Sequence, residues 1–346
     1  MTSLEDFGGW AATLGALTAS EDISADHART VLGTILNGEA TDAQIAAFIA
    51  ALRQKGETIE ELTGLVEAMR TAATPLHAPD NAIDIVGMGG SPSRRKAALN
   101  VSTMATFVAA GAGAVVCKHG NRKASSTSGS FDLLEALGVN FDVSPEKLSA
   151  VIAETGVGFA FARTYHPAMR HVGPVRVQLG IPTVFNALGP LANPGLVTHQ
   201  VVGVADVGLG HRMAEVLEAT GSKHAWVVTG HGSLDELSTT GPATVHELRN
   251  GEISTFDLDP ADYNIAPPES GALDGGDAAT NAVIAKRLFA GETGPIRDIV
   301  TLNAAAGLVV AGIATDFADA LERAAESLDS GAAADKLAAL IAASEN

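Results

Sequence analysis

From about Leu14 to Ala73 apolar residues recur with the period of a helix: Ile45, Phe48, Ile49 and Leu52 stand at i, i+3, i+4 and i+7, and Leu62, Leu65, Val66 and Met69 repeat the spacing. Each run predicts one amphipathic helix. Thr41 with Gln44 and Thr58 with Glu61 form capping-box pairs ahead of these runs, and Gly56 separates them. The stretch Thr74-Pro75-Leu76-His77-Ala78-Pro79 ends the helical part. Beyond it the period changes, and Ala82-Ile83-Asp84-Ile85-Val86 reads as a buried strand. A glycine-rich loop follows, then a helix through Met104, Phe107 and Val108, the strand Ala114-Val115-Val116-Cys117, a polar loop, and a helix carrying Phe131, Leu134 and Leu137. That order predicts a parallel sheet. Gln200 to Val204 and Ala225 to Thr229 are further strand candidates, and Thr244 to Leu248 with Glu252 to Phe256 flank Asn250-Gly251 as a hairpin. From Asp277 onward the chain reads as Ala-rich helix. The expectation is an α/β protein with a small, mostly helical N-terminal domain over residues 1–78 and a larger α/β domain over 79–346 with a central, mainly parallel sheet.

Composition narrows what such a fold can do. A net charge of -18 argues against a nucleic-acid partner, because binding a phosphate backbone relies on Lys and Arg. Local basic clusters in so acidic a chain point to a small anion instead. With aromatics at only 4% and Gly and Ala abundant, packing must rest on close approach of small side chains. The single cysteine, Cys117, excludes an intrachain disulfide and a multi-cysteine metal site, fits a reducing cytoplasm, and reads as a core thiol. Neither a leader-like start nor an apolar run of membrane length is present, so a soluble cytoplasmic protein with no membrane partner is expected.

Four segments carry candidate chemistry. Lys118-His119-Gly120-Asn121-Arg122-Lys123-Ala124-Ser125-Ser126-Thr127-Ser128-Gly129-Ser130 crowds basic groups, hydroxyls and glycines together behind an apolar strand, where open α/β sheets place ligands. It is expected to be a ligand loop, with Lys118 a point charge on a phosphate and Asn121, Ser125, Ser126 and Ser130 donating hydrogen bonds. A solvated polar loop is the plainer alternative. Gly87-Met88-Gly89-Gly90-Ser91 follows the first strand of the sheet; with the helix start at Asn100-Val101-Ser102-Thr103 it forms a candidate phosphate cradle, although a tight turn would use the same glycines. Its spacing is neither that of the dinucleotide fingerprint nor of the Walker loop. Asp235-Glu236 places adjacent carboxylates where a hard divalent cation would relieve their repulsion, and an acid-decorated helix start fits equally well. The last segment runs from Tyr165-His166-Pro167-Ala168-Met169-Arg170 through Arg176 to Phe185-Asn186-Ala187-Leu188-Gly189-Pro190. Arg176 has the planar fork that clamps a carboxylate, though a lone Arg is usually a surface charge and His166 a structural polar group.

In this order the four segments resemble the anthranilate phosphoribosyltransferase family, which carries KHGNR with a Ser-rich continuation, N-x-S-T, YHPAM, FN-x-LGPL-x-NP and an Asp-Glu pair at the matching positions. The likeness extends to Thr280-Asn281-Ala282 and Leu302-Asn303-Ala304-Ala305. It implies a fold of the nucleoside phosphorylase and phosphoribosyltransferase type, with the helical domain joined by a helical segment around 166–196 and holding the contact of a homodimer. It also implies a Mg²⁺-dependent glycosyltransferase of tryptophan biosynthesis, which moves phosphoribosyl from 5-phosphoribosyl 1-diphosphate to the amine of anthranilate. By position, Gly87, Gly90, Ser91, Asn100, Val101, Ser102, Thr103, Lys118, Asn121, Ser125, Ser126 and Ser130 would bind the phosphoribosyl donor. Ser102, Asp235 and Glu236 would bind the metal. Gly87, Asn121, His166, Arg176 and Pro190 would line the anthranilate channel, Arg176 facing its carboxylate. Asp235, Glu236, Lys118 and Arg176 would carry catalysis.

The departures cluster in one loop. Where the family reads GTGGD this chain has Met88 and Ser91, three extra residues bring Arg94, Arg95 and Lys96, and Ala98 replaces a threonine. Removing a carboxylate beside a diphosphate and adding a basic triplet both favour the anion, while acceptor choice stays open. A pyrimidine nucleoside phosphorylase-like enzyme is one rival reading, disfavoured by the YHPAM and LGPL-x-NP segments. A non-catalytic nucleic-acid-binding paralogue is the other, suggested by the basic triplet and opposed by the acidic balance and the Asp-Glu pair.

Overall fold

The computed structural model describes residues 2–89, 97–123 and 127–345. Its first helices are α1 (Gly9–Thr18), α2 (Ala25–Leu36), α3 (Asp42–Lys55) and α4 (Ile59–Thr71). Both expected capping boxes form. The Thr41 hydroxyl accepts from the Gln44 amide while the Gln44 side chain accepts from the Thr41 amide, and Thr58 with Glu61 does the same. Glu61 does more than cap: its fully buried carboxylate also accepts from the Ile23 amide at 3.0 Å and the Lys55 ammonium at 2.9 Å.

The larger part runs β1 (Ala82–Gly87), α5 (Val101–Gly111), β2 (Val115–Gly120), α6 (Ser130–Leu137), α7 (Pro145–Thr155), β3 (Val157–Phe161), α8 (Ala162–Tyr165), α9 (Gly173–Leu179), α10 (Phe185–Leu191), β4 (His199–Gly203), α11 (Val207–Ala219), β5 (His224–Thr229), β6 (Ala243–Arg249), β7 (Glu252–Leu258), α12 (Ala278–Phe289), α13 (Pro295–Val310), α14 (Phe317–Asp329) and α15 (Ala332–Glu345). The strands form one sheet in the order β3-β2-β1-β4-β5-β6-β7. It is parallel from β3 to β5, and β6 and β7 extend it as an antiparallel hairpin. Asn250 and Gly251 turn that hairpin with φ of 53° and 82°, as a two-residue turn matching strand twist requires.

Alternate residues of the buried strands serve two cores. Ile83, Ile85, Val116, Phe159, Val201 and Val228 pack with α5, α12 and α13. On the opposite face Val202, Val204, Ala225 and Val227 join Leu65, Val66 and Met69 of α4, Leu188 of α10 and Leu217 of α11. A continuous apolar core therefore links the N-terminal helices to the sheet, and α9 and α10 return to pack on α3 and α4. Cys117 is fully buried, burial pushing its thiol far above the ordinary range. No described helix is long and apolar enough to cross a membrane.

One expectation needs correction. Lys118, His119 and Gly120 are not loop residues; they are the last half of β2, paired in register with Phe159, Ala160 and Phe161. A polar side chain inside a strand carries no periodic signature, so the apolar pattern alone ends at Cys117.

A candidate active site at the strand ends

From β1 the chain winds outward through β2 to β3, then returns to lay β4 on the other side of β1. Helix α5 leaves β1 on one face and α11 leaves β4 on the other, so the C-terminal ends of these neighbours frame the crevice where open α/β sheets bind ligands.

The loop after β5 closes over that crevice and brings together two segments far apart in sequence. Asp235 Oδ2 accepts from the Gly89 amide at 2.7 Å, and the Met88 amide donates to the Gly203 carbonyl at 2.9 Å. Glycine is required on both strands beneath. A Cβ at Gly203 would lie 1.8 Å from the Asp235 carbonyl oxygen, and one at Gly87 would lie 2.7 Å from Asp235 Oδ2. Asp235 is buried to 9% exposure and Glu236 is half-buried, in a loop and not at a helix start.

The donor chemistry suits magnesium. Two adjacent hard carboxylates beside Gly87, Gly89 and Gly203 match an ion that takes one or two protein carboxylates and completes its shell with substrate phosphates and water. A preformed cage is not needed, and among the described residues no group of three or more His, Cys, Asp or Glu could hold a metal.

The wall beside the crevice is β2, whose two polar residues point to opposite faces. Lys118 is 2% exposed, its ammonium donates to the Ile85 carbonyl, and burial lowers its pKa against the opposing pull of Asp84 and Glu236. Asp84 is its buried partner, pushed up to about 6 by burial although Lys118 and the Asn193 amide, at 2.8 Å, oppose the shift. On the other face His119 Nδ1 lies 3.1 Å from the Gly189 carbonyl, which can only accept, so Nδ1 carries the proton. The His119 and His166 rings meet at a 56° tilt with centroids 5.1 Å apart, and His166 Nε2 sits 3.0 Å from the Ala192 carbonyl. Burial depresses both imidazoles, His119 to about 3, so both are neutral.

Arg176, on α9, is half-buried over the Phe185 ring at 5.4 Å, with a long 3.4 Å contact to Asn186 Oδ1. It forms no ion pair among the described residues, and burial lowers its pKa. Pro190 lies buried in α10, its carbonyl 3.4 Å from the Gln200 amide nitrogen.

The polar segment beginning at Asn121 is tied down more than its composition suggested. Arg122 pairs with Glu135 at 2.7 Å and Asp132 at 3.2 Å, which leaves it spoken for by α6. Ser130 donates to the Asn121 carbonyl at 3.1 Å and so closes the loop, while the Asn121 side chain accepts from the Arg122 amide. The Ser128 hydroxyl donates to Asn100 Oδ1 at 3.0 Å, and Thr127 accepts from the Ala98 amide at 3.2 Å. Asn100 is therefore engaged in loop contacts and the Val101 amide donates to the Leu99 carbonyl at 2.9 Å, while Ser102 and Thr103 present first-turn amides of α5 that have no intrahelical acceptors. Gly90, Ser91, Arg94, Arg95, Lys96, Ser125 and Ser126 lie outside the described residues.

Several residues given no role by the sequence matter here. Asn281, fully buried on α12, donates to the Ala98 carbonyl at 2.7 Å and Asn100 Oδ1 at 2.8 Å and so fixes the start of α5. Asp84, His119 and Asn193 build the floor beneath Lys118 and His166. The available signal was a polar residue inside an otherwise apolar strand or helix run.

Comparison with known proteins agrees with this layout. Residues 79–334 match the model of the glycosyl transferase family a/b domain, and residues 12–73 that family's helical bundle domain. An anthranilate phosphoribosyltransferase of a Nocardioides species is 50% identical over 96% of this chain and 98% of its own length. The crystal structure of anthranilate phosphoribosyltransferase from Thermus thermophilus superposes with a TM-score of 0.91 at 40% identity, covering 96% of this chain and 99% of that one. The Saccharomyces cerevisiae enzyme in complex with PRPP and Mg superposes with a TM-score of 0.87 at 28% identity, covering 97% and 98%. With its helical unit, its mixed sheet and an acidic loop closing the β1–β4 crevice, the chain belongs to the anthranilate phosphoribosyltransferase family.

Proposed function

We propose that this chain catalyses Mg²⁺-dependent transfer of the phosphoribosyl group from 5-phosphoribosyl 1-diphosphate to the amine of anthranilate, in tryptophan biosynthesis. The observation that carries the reading is that β2 separates two complementary half-sites. On one side stand Lys118, Glu236 and the Asp235 loop against Gly89; on the other stand His119 and His166 below α10.

Magnesium held through Asp235, Glu236 and the Ser102 hydroxyl would neutralise charge developing on the departing diphosphate. The chain's own groups do the rest. First-turn amides of Ser102 and Thr103 offer hydrogen bonds, and the start of α5 at Val101 the positive end of its dipole, to phosphate oxygens. Lys118 adds positive potential from within the sheet. Gly87, Gly90, Ser91, Asn121, Ser125, Ser126 and Ser130 belong to the donor-binding part of this reading, with Asn100 positioning the loop. Arg176 would take the anthranilate carboxylate in a bidentate fork, relieving a half-buried cation that pairs with no carboxylate among the described residues. His166 and Pro190 would wall the channel. In the reaction the bond from ribose C1 to the diphosphate oxygen breaks, the amine nitrogen bonds to C1, and its proton leaves afterwards. Two neutral imidazoles nearby add no positive charge against an oxocarbenium-like centre, and alignment of the reactants supplies most of the acceleration.

Loss of anthranilate fluorescence with donor and Mg²⁺, run beside other amino- and hydroxybenzoates, tests the activity and the acceptor choice together. No turnover with any of them would refute the reading. Arg176→Ala is expected to raise the anthranilate KM about tenfold or more, as loss of a charge-assisted hydrogen bond implies, with little change for the donor; equal rises would refute the carboxylate role. Asp235→Asn should shift the Mg²⁺ titration of activity to higher concentration, and an unmoved curve would count against the metal role.

The same reading includes a homodimer in the cytoplasm. Supporting the first are Val177 and Ile181, 80% and 49% exposed at α9 beside the helical unit, and supporting the second is the lone cysteine. Sedimentation at micromolar concentration would test the assembly, a monomer overturning it.

A further inference from the structure

We propose that Asn303, on α13, is a positioning residue that sets the Asp235–Glu236 carboxylates in their metal-binding arrangement by clasping the backbone of the next residue, Leu237. This inference rests on the reading of Asp235 and Glu236 as the magnesium pair. Asn303 is 3% exposed within an apolar stretch of α13, and every polar atom of its side chain is used. Its Oδ1 accepts from the Leu237 amide at 2.9 Å, while Nδ2 donates to the Leu237 carbonyl at 2.9 Å and to the Ile299 carbonyl, one turn back in its own helix, at 2.9 Å. The bond to Ile299 fixes the rotamer, and the other two hold both polar groups of a single loop residue, as a neighbouring strand would. Leu237 is itself fully buried, so the amide clasp and the side chain anchor the same point.

The geometry of the loop makes that anchor consequential. Upstream, Gly230 and Leu234 exchange backbone hydrogen bonds at 2.7 and 3.2 Å and fix one end of the loop. Downstream, the clasp on Leu237 fixes the other. Between them only Asp235 and Glu236 remain, and Asp235 lies against Gly87 and Gly203 with no room to shift toward the sheet. The direction of both carboxylates is therefore set by two pinned neighbours. Helix α13 packs directly on β1, β4 and β5, so the clasp ties the acidic loop to the same strands that frame the crevice. Groups that orient metal ligands typically change metal affinity by roughly ten- to a hundredfold when removed.

The test is calorimetric titration of 5-phosphoribosyl 1-diphosphate into wild type and Asn303→Leu at a series of Mg²⁺ concentrations, with steady-state anthranilate KM and thermal unfolding measured alongside. The leucine variant keeps size and adds no charge. At low Mg²⁺ it should bind the donor about tenfold more weakly, the deficit should vanish at saturating Mg²⁺, and the anthranilate KM should not move. If Asn303→Leu does not fold, Asn303→Ser, which also breaks the clasp without adding charge, should show the same Mg²⁺-dependent deficit. A variant that is less stable but has an unchanged Mg²⁺ dependence would overturn the positioning role, as would an anthranilate KM that rises in step with the donor constant. Wild type that itself binds the donor without regard to Mg²⁺ would overturn the functional reading along with the inference; wild type with a clear dependence that the variants share would overturn the inference alone.

Discussion

His119 shows how far its surroundings move a single group. Burial, aided by neighbouring His166 and Lys118, depresses its pKa from 6.5 to about 3, against the pull of the Gly189 carbonyl. In the unfolded chain the imidazole takes its proton near pH 6.5, whereas the folded protein refuses it until far lower. Between those values the unfolded state binds more protons, so stability is fully present above pH 6.5 and is lost as pH falls toward 3. From pH 6.5 to 5 the loss from this one residue is about 2 kcal/mol, at about 1.4 kcal/mol per pH unit. His119→Gln should remove that contribution. Denaturant unfolding at pH 7 and pH 5 should show wild type losing about 2 kcal/mol more than the variant on acidification, and parallel losses would show that His119 is not held neutral. At this scale the sequence was only partly legible. It marked Lys118, Arg176 and Asp235 by their chemistry, but it could not tell that Arg122 is consumed by Glu135 and Asp132 or that the Asn100 side chain is taken by Ser128 and Asn281, because those partners lie elsewhere in the chain.

Elements were legible where a period could run long enough to register. Helices α3 and α4 carry their apolar stripes and both of their start signals in the local sequence, and the structure realises each hydrogen bond of those signals. Helices α8 to α10 do not, because four to seven residues are too few to display a helical period; their shape is dictated by contacts such as Asn186 with the Thr183 amide at 3.1 Å. The sequence around Asp235 and Glu236 fits a helix start equally well; the structure makes it a loop whose Leu237 backbone is held by Asn303, far along the chain. Contact between elements also separates glycines that look alike in sequence. A Cβ on Gly64 of α4 would lie 2.0 Å from the Ala25 carbonyl oxygen of α2, whereas one on Gly33 of α2 would meet nothing within 4 Å. Gly64→Ala should therefore destabilise the protein by about 3 kcal/mol, the upper range for forcing excess volume into a packed contact. Gly33→Ala should stabilise it by about 1 kcal/mol, by removing backbone freedom from a helix interior. Chemical denaturation of the two variants decides both signs, and a neutral Gly64→Ala would show that α2 and α4 can separate without cost.

For the whole molecule the question is whether the helical unit behaves as a separate body. Sequence separates it cleanly, by a proline-rich link and a change of period. The structure joins it to the sheet through a shared core, in which Leu65, Val66 and Met69 of α4 meet Val202 and Val227 of the strands. Arg70 reinforces that junction. Its Nε donates to the Leu191 carbonyl at 3.0 Å and one of its terminal nitrogens to the Thr220 carbonyl at 2.9 Å, capping the C-terminal ends of α10 and α11 from α4. Carbonyls at helix ends have no intrahelical partner and carry the negative pole of the dipole, so one guanidinium satisfies two such ends at once. Burial lowers the Arg70 pKa, yet arginine stays charged, and the two carbonyls offset the cost of its desolvation. Arg70→Met keeps the aliphatic stem and removes both bonds, leaving two carbonyls without their charged donor. The expected loss is about 2 to 4 kcal/mol, for hydrogen bonds to a charged group. Because the apolar core runs unbroken across the junction, unfolding in denaturant should remain a single transition, with its midpoint lowered and its slope unchanged. An early transition that exposes Trp10 of the helical unit while Trp226 of β5 stays native would show that the shared core does not couple the two parts and that Arg70 alone had joined them.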